Sequence, residues 1–152
     1  MLIGVISDTH GLLRPEALVA LAEAEQILHA GDVGNPEILD ELRKIAPVTA
    51  IRGNVDAHGA CALLPATEAV ELGGRLFYMV HSVHDLDINP TDAEVDVVVS
   101  GHSHKPRIER KKGVLYLNPG SAGPRRFELP VSVALVTVGE SGVGARIVEL
   151  QV

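Results

Sequence analysis

Leu2-Ile3-Gly4-Val5-Ile6-Ser7-Asp8-Thr9-His10 is the stretch that decides the reading of this chain: an apolar run of strand length ends on a hydroxyl, a carboxylate and an imidazole. A continuous apolar run suits a strand buried on both faces, as in parallel sheets covered by helices. The arrangement recurs along the sequence. Asp32 follows Gly31 after Ile27–Ala30, and Asn54 follows Gly53 after Val48–Ile51. His81 ends Leu76–Val80, and His102 and His104 follow Val97–Gly101. These ligand-type side chains all fall at the same end of successive strands, where binding sites of open parallel sheets gather. Glycine directly before Asp32, Asn54 and His102 permits the close backbone approach that a shared pocket needs. Oxygen and imidazole donors without thiolate suit hard or borderline divalent ions. The set is too large for one tetrahedral ion and suits two ions sharing a carboxylate.

The chain between these loops alternates elements in its first half. Arg14–Glu25 reads as a helix with Pro15 near its start and Leu18, Leu21 and Ala22 on one face. Gln26–Ala30 is a second strand. A second helix opens with Asn35 as N-cap and Pro36 at its first position, turns Ile38, Leu39 and Leu42 inward, and stops at Pro47. Val48–Arg52 is a third strand, so the first half predicts parallel crossover units. Beyond Pro65, Gly73-Gly74 and Lys112-Gly113 mark hairpin turns, and Asp96–Ser100 reads as a buried strand. Asp85–Glu94 has room for a short helix at most. Pro130–Val138 and Gly144–Val152 form a closing pair turned at Gly139–Gly142. One domain, residues 1–152, containing two packed sheets is the simplest organisation.

Composition narrows the function. With 46% hydrophobic residues there is material for a core, but aromatics are only 3% and Trp is absent, so Val, Leu, Ile and Ala must fill it. Few aromatics and a formal charge of −7 argue against nucleic-acid duplex binding. No run approaches the ~20 apolar residues of a membrane span. The single Cys61 rules out an intrachain disulfide and a cysteine zinc site. Met1–Ser7 lacks a basic region and runs into Asp8, so it reads as a strand and not as a signal peptide. A soluble cytoplasmic protein is expected, with homo-oligomers through exposed edge strands compatible with the sequence.

Asp8-Thr9-His10, Gly31-Asp32, Gly53-Asn54, His81 and Gly101-His102-Ser103-His104 resemble the successive signatures of the calcineurin-like metallophosphoesterases. Asn118-Pro119-Gly120-Ser121 resembles a turn of their small YfcE-type phosphodiesterases, and the likeness spans essentially the whole chain. The resemblance implies an α/β four-layer sandwich, two packed mixed and mostly parallel β-sheets flanked by helices. It implies Asp8, His10 and His104 on one metal, Asn54, His81 and His102 on a second, and Asp32 bridging both. Two divalent ions are expected, Mn²⁺ first, with Fe²⁺, Ni²⁺ or Zn²⁺ as alternatives. The implied reaction is hydrolysis of a small phosphate ester by in-line attack of a hydroxide shared by the metals. Asp32, Asn54 and His81 are the catalytic candidates, and Asn54 additionally orients the phosphate. A phosphodiesterase is the main reading. The alternatives are a phosphomonoesterase or nucleotide pyrophosphohydrolase with the same site, or a non-catalytic scaffold like the related retromer subunit.

This chain departs from the family pattern twice. Relatives with broad phosphatase activity place a histidine after the asparagine, where it protonates the leaving group; here Val55 stands there. General acid help is typically worth about 10²–10⁴-fold, so activated diesters are the expected substrates and alkyl monoesters poor ones. Ser82 stands where glycine is usual after His81 and costs backbone freedom, so the geometry of His81 is less secure than that of the other ligands, with His84 as an alternative ligand. His58 is either a surrogate acid or an exposed loop residue. His29 reads as a core or supporting histidine able to orient Asp32. Asp8 and Asp32 alone could be helix caps, and Asn54 alone a turn residue. Asn118–Ser121 is either a plain turn or a support beside the metals, and Arg125-Arg126 either a phosphate contact or a solvated pair.

Overall fold

In a computed structural model describing residues 1–152, the chain folds into ten strands and two short α-helices arranged as two five-stranded sheets. The first sheet contains β1 (Leu2–Ile6), β2 (Gln26–His29), β3 (Val48–Ala50), β9 (Ser132–Gly139) and β10 (Gly142–Glu149), in the order β10-β9-β1-β2-β3. The second contains β4 (Thr67–Leu72), β5 (Arg75–Val80), β6 (Val97–Val99), β7 (Arg107–Lys111) and β8 (Val114–Asn118), in the order β4-β5-β6-β8-β7. β1, β2 and β3 run parallel, and so do β5, β6 and β8; antiparallel strands lie only toward the edges. The parallel character of the second sheet is not evident from its hairpin signals, because β6 and β8 are brought together across a chain excursion. Every candidate ligand follows the carboxyl end of a parallel strand.

Alternation along β1 divides the interior. Ile3 and Val5 join Leu28, Phe77, Met79, Val97, Val99, Leu115 and Leu117 between the two sheets. Ile6 and Ile27 face the other way, onto α1 (Pro15–Ala20) and α2 (Pro36–Arg43). Gly4 lets this helical layer approach, since a Cβ there would lie 2.6 Å from Leu21 Cδ2. The outer face of the second sheet is covered by the segment after β5, with Leu86, Ile88 and Val95 on Tyr78 and Val98, so its fourth layer is largely irregular.

Several local expectations are met in detail. Asn35 Oδ1 accepts the Glu37 N–H at 3.0 Å, and Ile38, Leu39 and Leu42 are buried. Gly73-Gly74 and Lys112-Gly113 all have positive φ, the signature of type I′ hairpins. Others are corrected. α1 stops at Ala20 instead of Glu25, because Ala22 and Ala24 bond three residues back to Val19 and Leu21, tightening the chain so that Glu25 can meet β1. The closing hairpin is tighter than expected: its strands reach Gly139 and Gly142, leaving a two-residue turn.

Phe77 is fully buried between the sheets. We expect Phe77→Ala to lower unfolding free energy by about 3–5 kcal/mol, measured by urea denaturation; a loss under about 1 kcal/mol would mean the sheets do not share this core.

Candidate metal centre

Four strand ends, β1, β2, β5 and β6, bring Asp8, His10, Asp32, His81 and His104 together, while Asn54 after β3 and His102 after β6 stay outside that group. The loop after β1 is laced to the loop after β2: Asp8 N–H donates to Gly31 O (3.0 Å), His10 N–H to Asp32 O (2.9 Å) and Gly11 N–H to Val33 O (2.9 Å). Asp8 Oδ2 accepts the Ser7 hydroxyl at 2.6 Å and the His102 N–H at 3.1 Å. These bonds fix the carboxylate and leave Oδ1 buried without a hydrogen-bond partner. That oxygen faces the Nε2 atoms of His104 (3.4 Å), His10 (3.7 Å) and His81 (3.8 Å). Asp32 Oδ2 lies between two of the same rings, 3.5 Å from His10 and 3.2 Å from His81.

A buried carboxylate oxygen ringed by imidazole nitrogens is costly unless a cation joins them. His81 donates from Nδ1 to Ala30 O at 2.7 Å, which leaves Nε2 as the lone pair available to a metal, and that atom too is buried and unpartnered. Two overlapping triads emerge, Asp8–His10–His104 and Asp8–Asp32–His81, each with ligand atoms within 4.8 Å. The donor set therefore fits divalent metal. Asp8 Oδ1 belongs to both triads, while Asp32, the expected bridge, spans His10 and His81.

The remaining candidates stand at the rim. The His102 ring lies edge-on to His81, with centroids 5.3 Å apart, and is exposed; Asn54 is exposed beside Gly53. His58 and His84 are exposed and belong to neither triad. Ser82 has φ −114°, an extended conformation open to any residue. His81 is thus oriented by the Ala30 anchor, and the backbone cost expected of Ser82 is not incurred.

Charge in the site is strongly coupled. Burial works against ionisation of Asp8, but His10, His104 and Ser7 hold its carboxyl far below the usual carboxylate range. Burial likewise opposes Asp32, whose pKa is lowered by His81 and by the Val55 N–H, which donates to Oδ1 at 3.0 Å. Asp8 raises His10, and Asp32 with Ala30 raises His81 against its burial. Carboxylates that raise the pKa of neighbouring imidazoles create a negative field of the kind that favours a divalent cation.

The backbone carries the cost of this convergence. Of eight non-glycine residues with positive φ, five are candidate ligands: Asp8, His10, Asp32, His102 and His104. Left-handed backbone costs about 1–2 kcal/mol per residue, less for Asp. The preceding glycines serve neighbouring loops as well as their own. A Cβ on Gly31 would lie 2.6 Å from His81 Nδ1, one on Gly101 2.5 Å from Asp8 Oδ2, and one on Gly53 would strike Asp32.

The supporting residues act on loops. His29 is fully buried; its Nδ1 accepts the Gly31 N–H at 3.1 Å and its Nε2 bonds Thr9 Oγ1 at 3.0 Å. It clamps two ligand loops instead of touching the Asp32 carboxylate, and burial lowers its pKa to about 4, keeping it neutral. Asn118 donates to Gly101 O at 2.9 Å, and Ser121 donates to Asp8 O at 2.9 Å. Sequence reasoning missed Asp56. Its buried carboxylate accepts N–H groups from Val33 (3.1 Å), Gly34 (3.0 Å) and Gly53 (2.9 Å), tying the Asp32 loop to the Asn54 loop. The only available signal was an acid two residues beyond Asn54 in a short turn.

Comparison with known proteins agrees with this geometry. Residues 1–141 match the Calcineurin-like phosphoesterase superfamily domain. A probable metallophosphoesterase of Methanothermobacter thermautotrophicus is 37% identical over 152 residues, covering 92% of this chain and 88% of that protein. The Escherichia coli phosphodiesterase YfcE is 29% identical, covering 86% and 84%. Among solved structures, an archaeal phosphodiesterase superposes with a TM-score of 0.79 at 22% identity, covering 97% of this chain and all of that one. Vacuolar protein sorting 29 of Cryptosporidium parvum gives 0.76 at 21%, covering 98% and 97%.

Metal should stabilise the protein in a pH-dependent way. In metal-free protein the raised pKa values of His10 and His81 add stability below pH ~6.5 that is lost as pH rises through their folded values. Metal replaces those protons. We expect Mn²⁺ at about 100 times its Kd to raise Tm by roughly 5–10 °C at pH 8 and less at pH 6. Asp8→Asn should remove the increment; scanning fluorimetry showing an equal increment in that variant would refute the site.

Proposed function

The chain belongs to the calcineurin-like phosphoesterase superfamily, and from that premise we propose that it is a binuclear metal-dependent phosphodiesterase. The observation that carries this reading is Asp8 Oδ1, buried and unpartnered amid three imidazole nitrogens. Asp8, His10 and His104 would hold one ion; Asn54, His81 and His102 the other; Asp32 would be shared. Two such divalent ions, Mn²⁺ being the expected pair, supply an activated water and neutralise charge on the phosphoryl oxygens.

The chain's own residues do the rest. Ser7, the His102 N–H, Ala30 and the Val55 N–H orient the ligands before substrate arrives, so little reorganisation remains during the reaction. Asn54, exposed and lining one pocket with His81, would donate its amide to a phosphoryl oxygen. Val55 carries no proton, and its side chain, 49% exposed, leaves room where a leaving-group acid would stand. Esters with good leaving groups are therefore the favoured substrates, and a diester is favoured over a monoester. The name of the YfcE relative supports the same choice. The scaffold reading, to which the sorting-protein neighbour contributes its fold, predicts an eroded ligand set; here each expected position carries a ligand-type side chain.

With Mn²⁺ added, bis-p-nitrophenyl phosphate should be hydrolysed well above p-nitrophenyl phosphate, and Asp32→Asn should lose several orders of magnitude. No turnover of either ester by metal-loaded protein would favour the scaffold. Val55→His should raise monoesterase kcat by about 10²-fold or more relative to diesterase activity; an unchanged ratio would refute the missing-acid explanation.

A further inference from the structure

Beside His102 lies an open cleft of about 880 Å³ whose walls include Lys105, Arg126, Phe127 and a single acid, Glu128. Its charge balance is opposite to that of the whole chain: against a net charge of −7, the cleft sets two cations, Lys105 and Arg126, neither in an ion pair, against one acid. Arg126 and His102, a candidate ligand, line the same cleft, so the guanidinium stands on the wall next to the candidate metal centre.

Phe127 is the less expected feature. The chain has only two phenylalanines; Phe77 is fully buried, while Phe127 is 87% exposed. It occupies the first corner of a turn closed by the Leu129 N–H on Arg126 O (3.1 Å), with φ +53°. That corner conformation favours glycine, and a bulky side chain there is strained. An aromatic held out of the core, on strained backbone, beside unpaired cations and next to the candidate metal centre, presents a free ring face to whatever enters the cleft.

We propose that this cleft is the subsite for the non-leaving arm of a phosphodiester and that it takes an aromatic ring, with Phe127 stacking on the ring and Lys105 and Arg126 facing the phosphate charge. The inference rests on the phosphodiesterase reading and adds a substrate class to it. The leaving group is assigned to a different pocket, that of Asn54, whose neighbour Val55 donates its N–H to Asp32. Nucleobases and simple aryl groups share the required π-face, and stacking of this kind is tolerant of ring identity.

The test keeps the leaving group constant. Methyl p-nitrophenyl phosphate, phenyl p-nitrophenyl phosphate and thymidine 5′-(p-nitrophenyl phosphate) all release p-nitrophenolate and differ only in the retained arm. Phe127→Gly suits the turn, so its Tm should equal or exceed that of the unmodified protein. In that variant the kcat/KM of at least one ring-bearing ester relative to the methyl ester should fall on the order of tenfold, and Phe127→Trp should preserve the ratio. Comparing the phenyl and thymidine arms tells which ring source the cleft prefers. Unchanged ratios in Phe127→Gly would overturn the subsite while leaving the phosphodiesterase reading intact. Absence of turnover for all three esters by Mn²⁺-loaded protein would overturn both.

Discussion

Everything at the functional end of this molecule follows from placing two carboxylates, Asp8 and Asp32, in a buried space where water cannot solvate them. Isolated, such charges are prohibitive. Here each has one oxygen committed to fixed donors: the Ser7 hydroxyl and His102 N–H for Asp8, the Val55 N–H for Asp32. The other oxygen of each is turned toward imidazoles. The uncommitted oxygens define the demand for positive charge, and they raise the pKa values of His10 and His81. Ligand choice, pKa shifts and backbone strain are three aspects of the same requirement.

That requirement explains why the site was so legible in sequence. A carboxylate or imidazole immediately after a run such as Leu2–Ile6 or Val97–Val99 has few reasons to be there other than chemistry, and glycine before it marks crowding. The crowding proved to be mutual, with Gly31 making room for His81 and Gly53 for Asp32. What was not legible depends on contacts between distant segments. Asp56 looks like any polar turn residue until its three backbone donors, two from the Asp32 loop and one from its own, are seen together. His29 could be placed in the core, but which loops it clamps could not be read from a strand pattern.

The fold shows the same division. Local chemistry announced both type I′ hairpins and the Asn35-Pro36 helix start. It did not announce where α1 would end, because its last turn is drawn tight to bring Glu25 to the Leu2 N–H. Nor did it reveal that β5, β6 and β8 lie side by side in parallel, since that pairing is chosen by the apolar faces packed against β1 and β2.

The donors come from both sheets: Asp8, His10, Asp32 and Asn54 from loops of the first, His81, His102 and His104 from loops of the second. Neither half of the polypeptide holds a complete set. Completing either candidate triad therefore requires both sheets to have closed on one another, because His104 and His81 arrive only with the second, so an intact centre is a sign that the two layers have docked.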